Sequence, residues 1–172
     1  MAATSEMLSI ACQVKPDIVT LVPEKREEKT TESGLEVVRQ EAFLAPCIKR
    51  LQSSGIEVSL FIDPNLEQLK ASIRLGVERV EFHTGDFAEG YDRENVEPCR
   101  ALKKAVQLAK KSNIGIAAGH GLNYDNIEVL LQEIPEIEEY NIGHSIVSRA
   151  MFVGFEQAVK EMKEKLQRRF DL

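Results

Sequence analysis

The sequence predicts an α/β fold built on a parallel sheet. Three observations carry that expectation. Five short, largely apolar runs are closed by proline or glycine punctuation, segments of helical period lie between them, and the two patterns alternate along the chain. Such alternation implies right-handed crossovers between parallel strands. With 172 residues, 43% hydrophobic and 29% charged, the chain reads as a single domain spanning 1–172 with a sizeable core.

The segment from about Thr4 to Cys12 reads as a helix feeding the first strand, Asp17-Ile-Val-Thr-Leu-Val22, which stops at Pro23. Val37, Leu44, Ile48 and Leu51 then share one helical face. Ile56-Glu-Val-Ser-Leu-Phe-Ile62 is the second strand, closed by Asp63-Pro64, which reads as an N-cap and a proline at the first helical position. Leu66, Leu69 and Ile73 form the face of that helix, and Val77 to Phe82 is the third strand, ending at His83-Thr-Gly85. Val96, Cys99, Leu102, Val106 and Ala109 repeat the helical spacing, with Lys103, Lys104, Lys110 and Lys111 toward solvent. Ile114 to Ala118 is the fourth strand, before Gly119-His-Gly121, and Glu139 to Ile142 the fifth, before Gly143-His144. The last helix shows the clearest stripe: Phe152, Phe155, Val159, Met162 and Leu166. Each strand is short and apolar, as a buried parallel strand should be.

Two architectures fit this count, an open doubly wound sheet or part of an eight-stranded (β/α) barrel. Five strands cannot close such a barrel.

Acidic residues outnumber basic ones 28 to 22, giving a formal charge of −6. A basic stripe for nucleic acid is therefore not expected. No apolar run approaches the roughly 18 residues of a membrane span, and Met1 to Gln13 lacks the order of a signal peptide. Cys12, Cys47 and Cys99 are odd in number and widely spaced, so they read as ordinary thiols in a reducing compartment. A cytoplasmic protein with neither nucleic-acid nor membrane partners is the expectation.

In both architectures ligands bind beyond the carboxyl ends of the strands. All three histidines, His83, His120 and His144, fall there. Histidine titrates nearest neutrality and suits proton transfer. Gly119-His120-Gly121 is either a tight turn that needs glycine or a place where a ligand approaches the backbone. Gly143-His144-Ser145 opens a short helical stretch, Ile146 to Met151, and is either an ordinary cap or a phosphate site at a helix start. The loop Pro23 to Gly34 is long and charged, and is either a solvated loop or a functional one. Glu78, Glu81 and Asp86 show no specific catalytic spacing and are set aside. Nucleotide-binding glycine motifs and a nucleophile elbow are absent. Three histidines at a barrel mouth could hold zinc, but none forms a close pair and no cysteine or carboxylate cluster joins them, so no metal is expected.

Leu21-Val-Pro-Glu-Lys-Arg26, Thr30-Thr31-Glu32 with Gly34, Val58-Ser-Leu-Phe-Ile-Asp63, His83-Thr-Gly85, Ala118-Gly-His-Gly-Leu122 and Asn141-Ile-Gly-His144 stand in one order. In that order they resemble the pyridoxine 5'-phosphate synthase family of vitamin B6 biosynthesis. The resemblance runs nearly the whole length of the chain. It implies a (β/α)₈ barrel of the TIM type, a cytoplasmic homo-oligomer, and a condensation without a redox cofactor. The substrates it implies are 1-deoxy-D-xylulose 5-phosphate and 3-amino-2-oxopropyl phosphate, joined with loss of phosphate and water by an enzyme of the transferase class. By the same resemblance His120 is the proton donor, Gly121, Gly143 and His144 contact the amino-ketone phosphate, and Thr30 contacts the deoxyxylulose phosphate. His83 receives no role.

The family pattern also includes N-terminal strands bearing a catalytic His and Glu that these residues do not contain. An incomplete barrel is therefore expected, with about five parallel strands and the N-terminal strands missing, the C-terminal portion of the enzyme and inactive alone. Its first strand is expected to be an exposed apolar edge. Two alternatives belong to other classes: a non-catalytic phosphate-ligand-binding or assembly module, and a metal-dependent hydrolase.

Overall fold

A computed structural model describes residues 1–24, 33–92 and 95–167. In chain order the elements are α1 (Ser5–Val14), β1 (Ile18–Leu21), α2 (Val37–Ser53), β2 (Glu57–Ile62), α3 (Leu66–Leu75), β3 (Arg79–His83) and α4 (Gly85–Asp92). They continue with α5 (Glu97–Lys111), β4 (Gly115–Gly119), α6 (Ile127–Glu133), β5 (Glu139–Asn141), α7 (His144–Val153) and α8 (Phe155–Gln167). The five strands form one sheet in the order β1-β2-β3-β4-β5, and every pair is parallel. A doubly wound sheet reverses its strand order at a switch point, whereas a (β/α)₈ barrel adds each strand on the same side of the last. The sequential order therefore decides for part of a (β/α)₈ barrel.

Register separates the two faces. Val19, Leu21, Val58, Leu60, Ile62, Val80, Phe82, Ile116 and Ala118 share one face and are buried. Helices cover it: Leu44, Ile48 and Leu51 of α2, Leu69 of α3, and Leu102, Val106 and Ala109 of α5 belong to the same core. Each large side chain so buried stabilises the fold by about 1.5–3 kcal/mol before entropy. The opposite face carries Thr20, Ser59, Phe61, Arg79, Glu81, His83, Gly115, Ala117, Gly119, Glu139 and Asn141. The expected buried, parallel strands are thus buried under helices on one face. They alternate because helices pack on one side only, and the other side is polar and partly exposed.

The helix starts are set by local chemistry. Thr4 caps α1, its hydroxyl accepting from the Met7 N–H at 3.2 Å. For α3 the cap is Asn65, not Asp63: the Asn65 side chain accepts from Glu67 and Gln68 N–H, and Pro64 stands outside the helix. Asp63 is engaged elsewhere, accepting from the Gly34 N–H at 2.9 Å.

The long C-terminal stripe is also corrected. Gly154, at φ +84°, ends α7 and separates it from α8, because glycine enters the left-handed region without a Cβ penalty. Phe152 is 84% exposed and Phe155 62%, while Ala158 and Met162 of α8 are buried. β1 lies at the sheet edge as expected, but the edge is less bare. Val19 and Leu21 are buried, the Val22 N–H donates to the Met1 carbonyl at 3.0 Å, and Ala2 bridges to Val22. The three cysteines are free thiols. Among the described residues no helix is long and apolar enough to cross a membrane.

Candidate active site

The polar face of the sheet and the loops at its carboxyl end converge around His120. On the polar face β4 carries only Gly115, Ala117 and Gly119, which leaves room for the longer side chains of Arg79, Glu81 and His83 from β3 beside it. His120 follows directly, at φ +87°, a backbone region costly for a side chain other than glycine. Gly121 continues the turn at φ +74°, and a Cβ there would fall 2.8 Å from the Ala88 Cβ. The turn is held from below by buried Thr84, whose hydroxyl lies 2.7 Å from the Gly119 carbonyl and 2.6 Å from that of His120. Asn126, also buried, donates its side-chain amide to the Gly121 carbonyl at 3.1 Å. Strain at an over-determined position is how a reactive side chain is kept in one place. The Gly-His-Gly spacing is thus a tight turn whose backbone carbonyls are held by Thr84 and Asn126.

His83 is the last residue of β3 and is buried, 6% exposed. Its ring faces that of His120, with centroids 4.8 Å apart and planes tilted by 35°, and Phe61 meets it edge-on at 5.5 Å. The Asp63 carboxylate lies 3.5 Å from Nδ1 of His83.

Glu81, two residues earlier on the same face, shows no catalytic spacing in the sequence and proves central. Burial pushes its carboxyl above the ordinary carboxylate range, and Glu139 adds to the rise. A hydrogen bond with Asn141, the His120 ring and the Met1 amino group pull the other way. Only the sheet register, which puts Glu81 on one face with His83, Ala117 and Gly119, brings it into the site. Glu78, by contrast, is a structural clamp at the other end of the strand. Its carboxylate accepts from the Val58 N–H and the Gln52 side chain, both at 2.9 Å. Asp86 lies exposed in the first turn of α4.

Gly143 precedes α7 and His144 begins it. No side chain caps this start, and the first-turn N–H groups of a helix have no intrahelical acceptor. A Cβ at Gly143 would meet nothing within 4 Å, so the approach is open. The Ser145 hydroxyl donates to the Leu122 carbonyl at 2.9 Å, fastening this helix start to the loop that carries Gly121. His144 is exposed and His120 half-buried. Thr30, the remaining expected contact, lies outside the described residues. Among the described residues no group of three or more His, Cys, Asp or Glu side chains is arranged to hold a metal ion.

The His120 ring acts electrostatically on the half-buried carboxyl of Glu81, and the uncapped start of α7 is tied to the loop after His120. Such a set can bind a phosphorylated carbonyl compound and move protons at its carbon and oxygen atoms.

Known proteins share this framework. A curated pyridoxine 5'-phosphate synthase from Akkermansia muciniphila is 51% identical over 168 residues, covering 98% of this chain and 68% of that protein. Those from Geobacter metallireducens and Geobacter sulfurreducens are 50% and 52% identical, each over 94% of this chain and 68% of theirs. Among solved structures, a 3-keto-L-gulonate-6-phosphate decarboxylase from Vibrio cholerae superposes with a TM-score of 0.64 at 18% identity, covering 96% of this chain and 67% of that one. That likeness concerns the fold alone. The model of the family described as Pyridoxal phosphate biosynthesis protein PdxJ matches residues 1–168, and the chain belongs to that family.

Proposed function

We propose that these residues form the part of a pyridoxine 5'-phosphate synthase that holds the amino-ketone phosphate and supplies the proton-donating histidine. The reaction joins 1-deoxy-D-xylulose 5-phosphate to 3-amino-2-oxopropyl phosphate, giving pyridoxine 5'-phosphate, phosphate and water. His120 donates a proton to a departing or developing oxygen. Gly121, Gly143 and His144 receive the phosphate of the amino ketone, and Thr30 contacts the other substrate. Glu81, beside His120, stabilises positive charge that develops between them. The observation that carries this reading is the strained Gly-His-Gly turn tied to the open start of α7 through Ser145 and Leu122. Ring closure needs several proton transfers, each typically worth about 10²–10⁴-fold, so His120 and Glu81 do not suffice for it. The 172-residue polypeptide alone is therefore proposed to bind but not to turn over. A cytoplasmic setting and self-association accompany the reading.

The test is a titration of the polypeptide with 3-amino-2-oxopropyl phosphate, followed by backbone amide NMR and by pyridoxine 5'-phosphate fluorescence with both substrates present. Saturable shifts at Gly121, Gly143 and His144 are expected. Activity is expected only when a relative's N-terminal segment is supplied, and only with His120 intact. Absence of those shifts at millimolar ligand would refute the binding assignment. Binding without product in the complemented protein would leave a phosphate-ligand module.

A further inference from the structure

The loop that follows the histidine turn, Gly121-Leu-Asn-Tyr-Asp-Asn126, is organised by a side chain the proposed reaction does not use. Asn126 is fully buried. Its amide donates to the Gly121 carbonyl at 3.1 Å, and its oxygen accepts from the Asn123 N–H at 2.9 Å. Asn123 returns the contact, its side-chain oxygen accepting from the Asp125 and Asn126 N–H groups at 2.8 and 2.9 Å. A buried amide is costly unless its hydrogen bonds are made, and those made here fix the direction of two peptide groups.

One side chain thus takes both peptide groups that flank Leu122, as a neighbouring strand would. The N–H and C=O of a trans peptide point in opposite directions, and no described peptide bond is cis. With the Gly121 carbonyl turned toward Asn126, the Leu122 N–H is turned away from it. With the Asn123 N–H turned toward Asn126, the Leu122 carbonyl is turned away as well. That carbonyl accepts from the Ser145 hydroxyl in the first turn of α7, at 2.9 Å, so the Leu122 N–H lies on the α7 side of the loop. The preceding peptide is directed by Thr84, whose buried hydroxyl lies 2.6 Å from the His120 carbonyl and so leaves the Gly121 N–H pointing away from Thr84. Leu122 is 4% exposed, its side chain belongs to the core, and its N–H has no acceptor among the described residues. Buried backbone N–H groups are nearly always paired.

We propose that the Leu122 N–H is a further donor to the phosphate of the amino ketone, beside Gly121, and that Asn126 is the positioning residue that presents it. The proposal rests on the reading of Gly121, Gly143 and His144 as the contacts of that phosphate. A phosphate suits the place because its several strong acceptor oxygens can take N–H groups from the loop and from the start of α7 together.

The test is a titration of the ¹⁵N-labelled polypeptide with 3-amino-2-oxopropyl phosphate. The Leu122 amide proton is expected to move downfield with the same midpoint as the Gly121, Gly143 and His144 signals. At saturation a ³¹P–¹⁵N coupling across the hydrogen bond is expected at Leu122. Replacing Leu122 by its α-hydroxy acid turns that amide into an ester without the N–H, and binding is expected to weaken by about tenfold or more. Asn126→Asp keeps the oxygen that accepts from Asn123 and loses the amide that donates to Gly121, and a loss of about tenfold with a smaller Leu122 shift is expected. Saturation that moves Gly121, Gly143 and His144 but not Leu122 would overturn the proposal and leave the synthase reading standing. No shift at any of the four would refute the reading and the proposal together. Full wild-type affinity in Asn126→Asp would overturn the positioning role. Should that variant fail to fold, the wild-type Leu122 signal and the ester variant decide the matter.

Discussion

Gly119 lies directly over the carboxylate of Glu81: a Cβ at position 119 would fall 2.5 Å from Oε1 and 3.1 Å from Asn141. The glycine that looks like punctuation after β4 is the space into which a buried acid projects. Strand register makes this so, because Gly119 pairs with His83 and Ala117 with Glu81 on the same face.

Stability should depend on pH through Glu81. Burial raises its folded-state pKa above that of an ordinary glutamate, so in the window just above the ordinary value the folded chain holds the extra proton. Stability from this group is then full below the unfolded pKa and falls as pH rises through the folded one. Glu81→Gln should remove that fall, giving a higher Tm than wild type near neutrality and little difference near about pH 4, where the unfolded side chain also takes its proton. Equal pH profiles of Tm for the two proteins would contradict the assignment.

Two glycines separate backbone strain from crowding. Gly154, at φ +84°, has nothing within 4 Å of where a Cβ would stand, so Gly154→Ala should cost about 1 kcal/mol from conformation alone. Gly121 combines φ +74° with the Ala88 methyl at 2.8 Å, and Gly121→Ala should cost about 3 kcal/mol. Urea denaturation of the pair measures the difference. Equal costs would mean that the Ala88 contact is relieved without effort.

Thr84→Val removes the hydroxyl that lies against two carbonyls of the His120 turn and leaves that of His120 without this donor in a part-buried place. A loss of about 1–2 kcal/mol is expected. The His120 ring signal should broaden as its turn loosens. A sharp, unshifted signal would show that the backbone holds the turn without the hydroxyl.

Two phenylalanines should behave in opposite ways. Phe82 is fully buried under the helices and Phe82→Ala should cost about 3–5 kcal/mol. Phe152 is 84% exposed, and Phe152→Ser should stay within about 0.5 kcal/mol of wild type. Denaturant midpoints decide it, and a large loss at Phe152 would mean that α7 is packed against something that covers its apolar side.

All five strands were legible because each is a short, largely apolar run closed by glycine or proline, and their ends agree within one or two residues. The Gly-His-Gly and Gly-His turns were legible for the same local reason. What escaped depends on partners distant in the chain. Asp63 has the spacing of an N-cap, yet Gly34, 29 residues away, takes its carboxylate. Glu81 carries no sign in its neighbours that Gly119 and Asn141 will enclose it. The stripe from Phe152 to Leu166 has faultless spacing, but one glycine at positive φ breaks the helix axis and leaves the two phenylalanines in solvent.

Sequence by itself thus determined the α/β alternation, the strand count and the histidine-bearing strand ends, and through its motif order the family. Those are properties of nearest neighbours along the chain, where backbone preference and hydrophobic period act. Only the tertiary structure decided which face the helices cover, and so made the other face polar. It also decided the tilted ring contact of His83 with His120, the burial of Glu81 and the fastening of α7 to the Gly121 loop, because each needs parallel strands brought into register across the sheet.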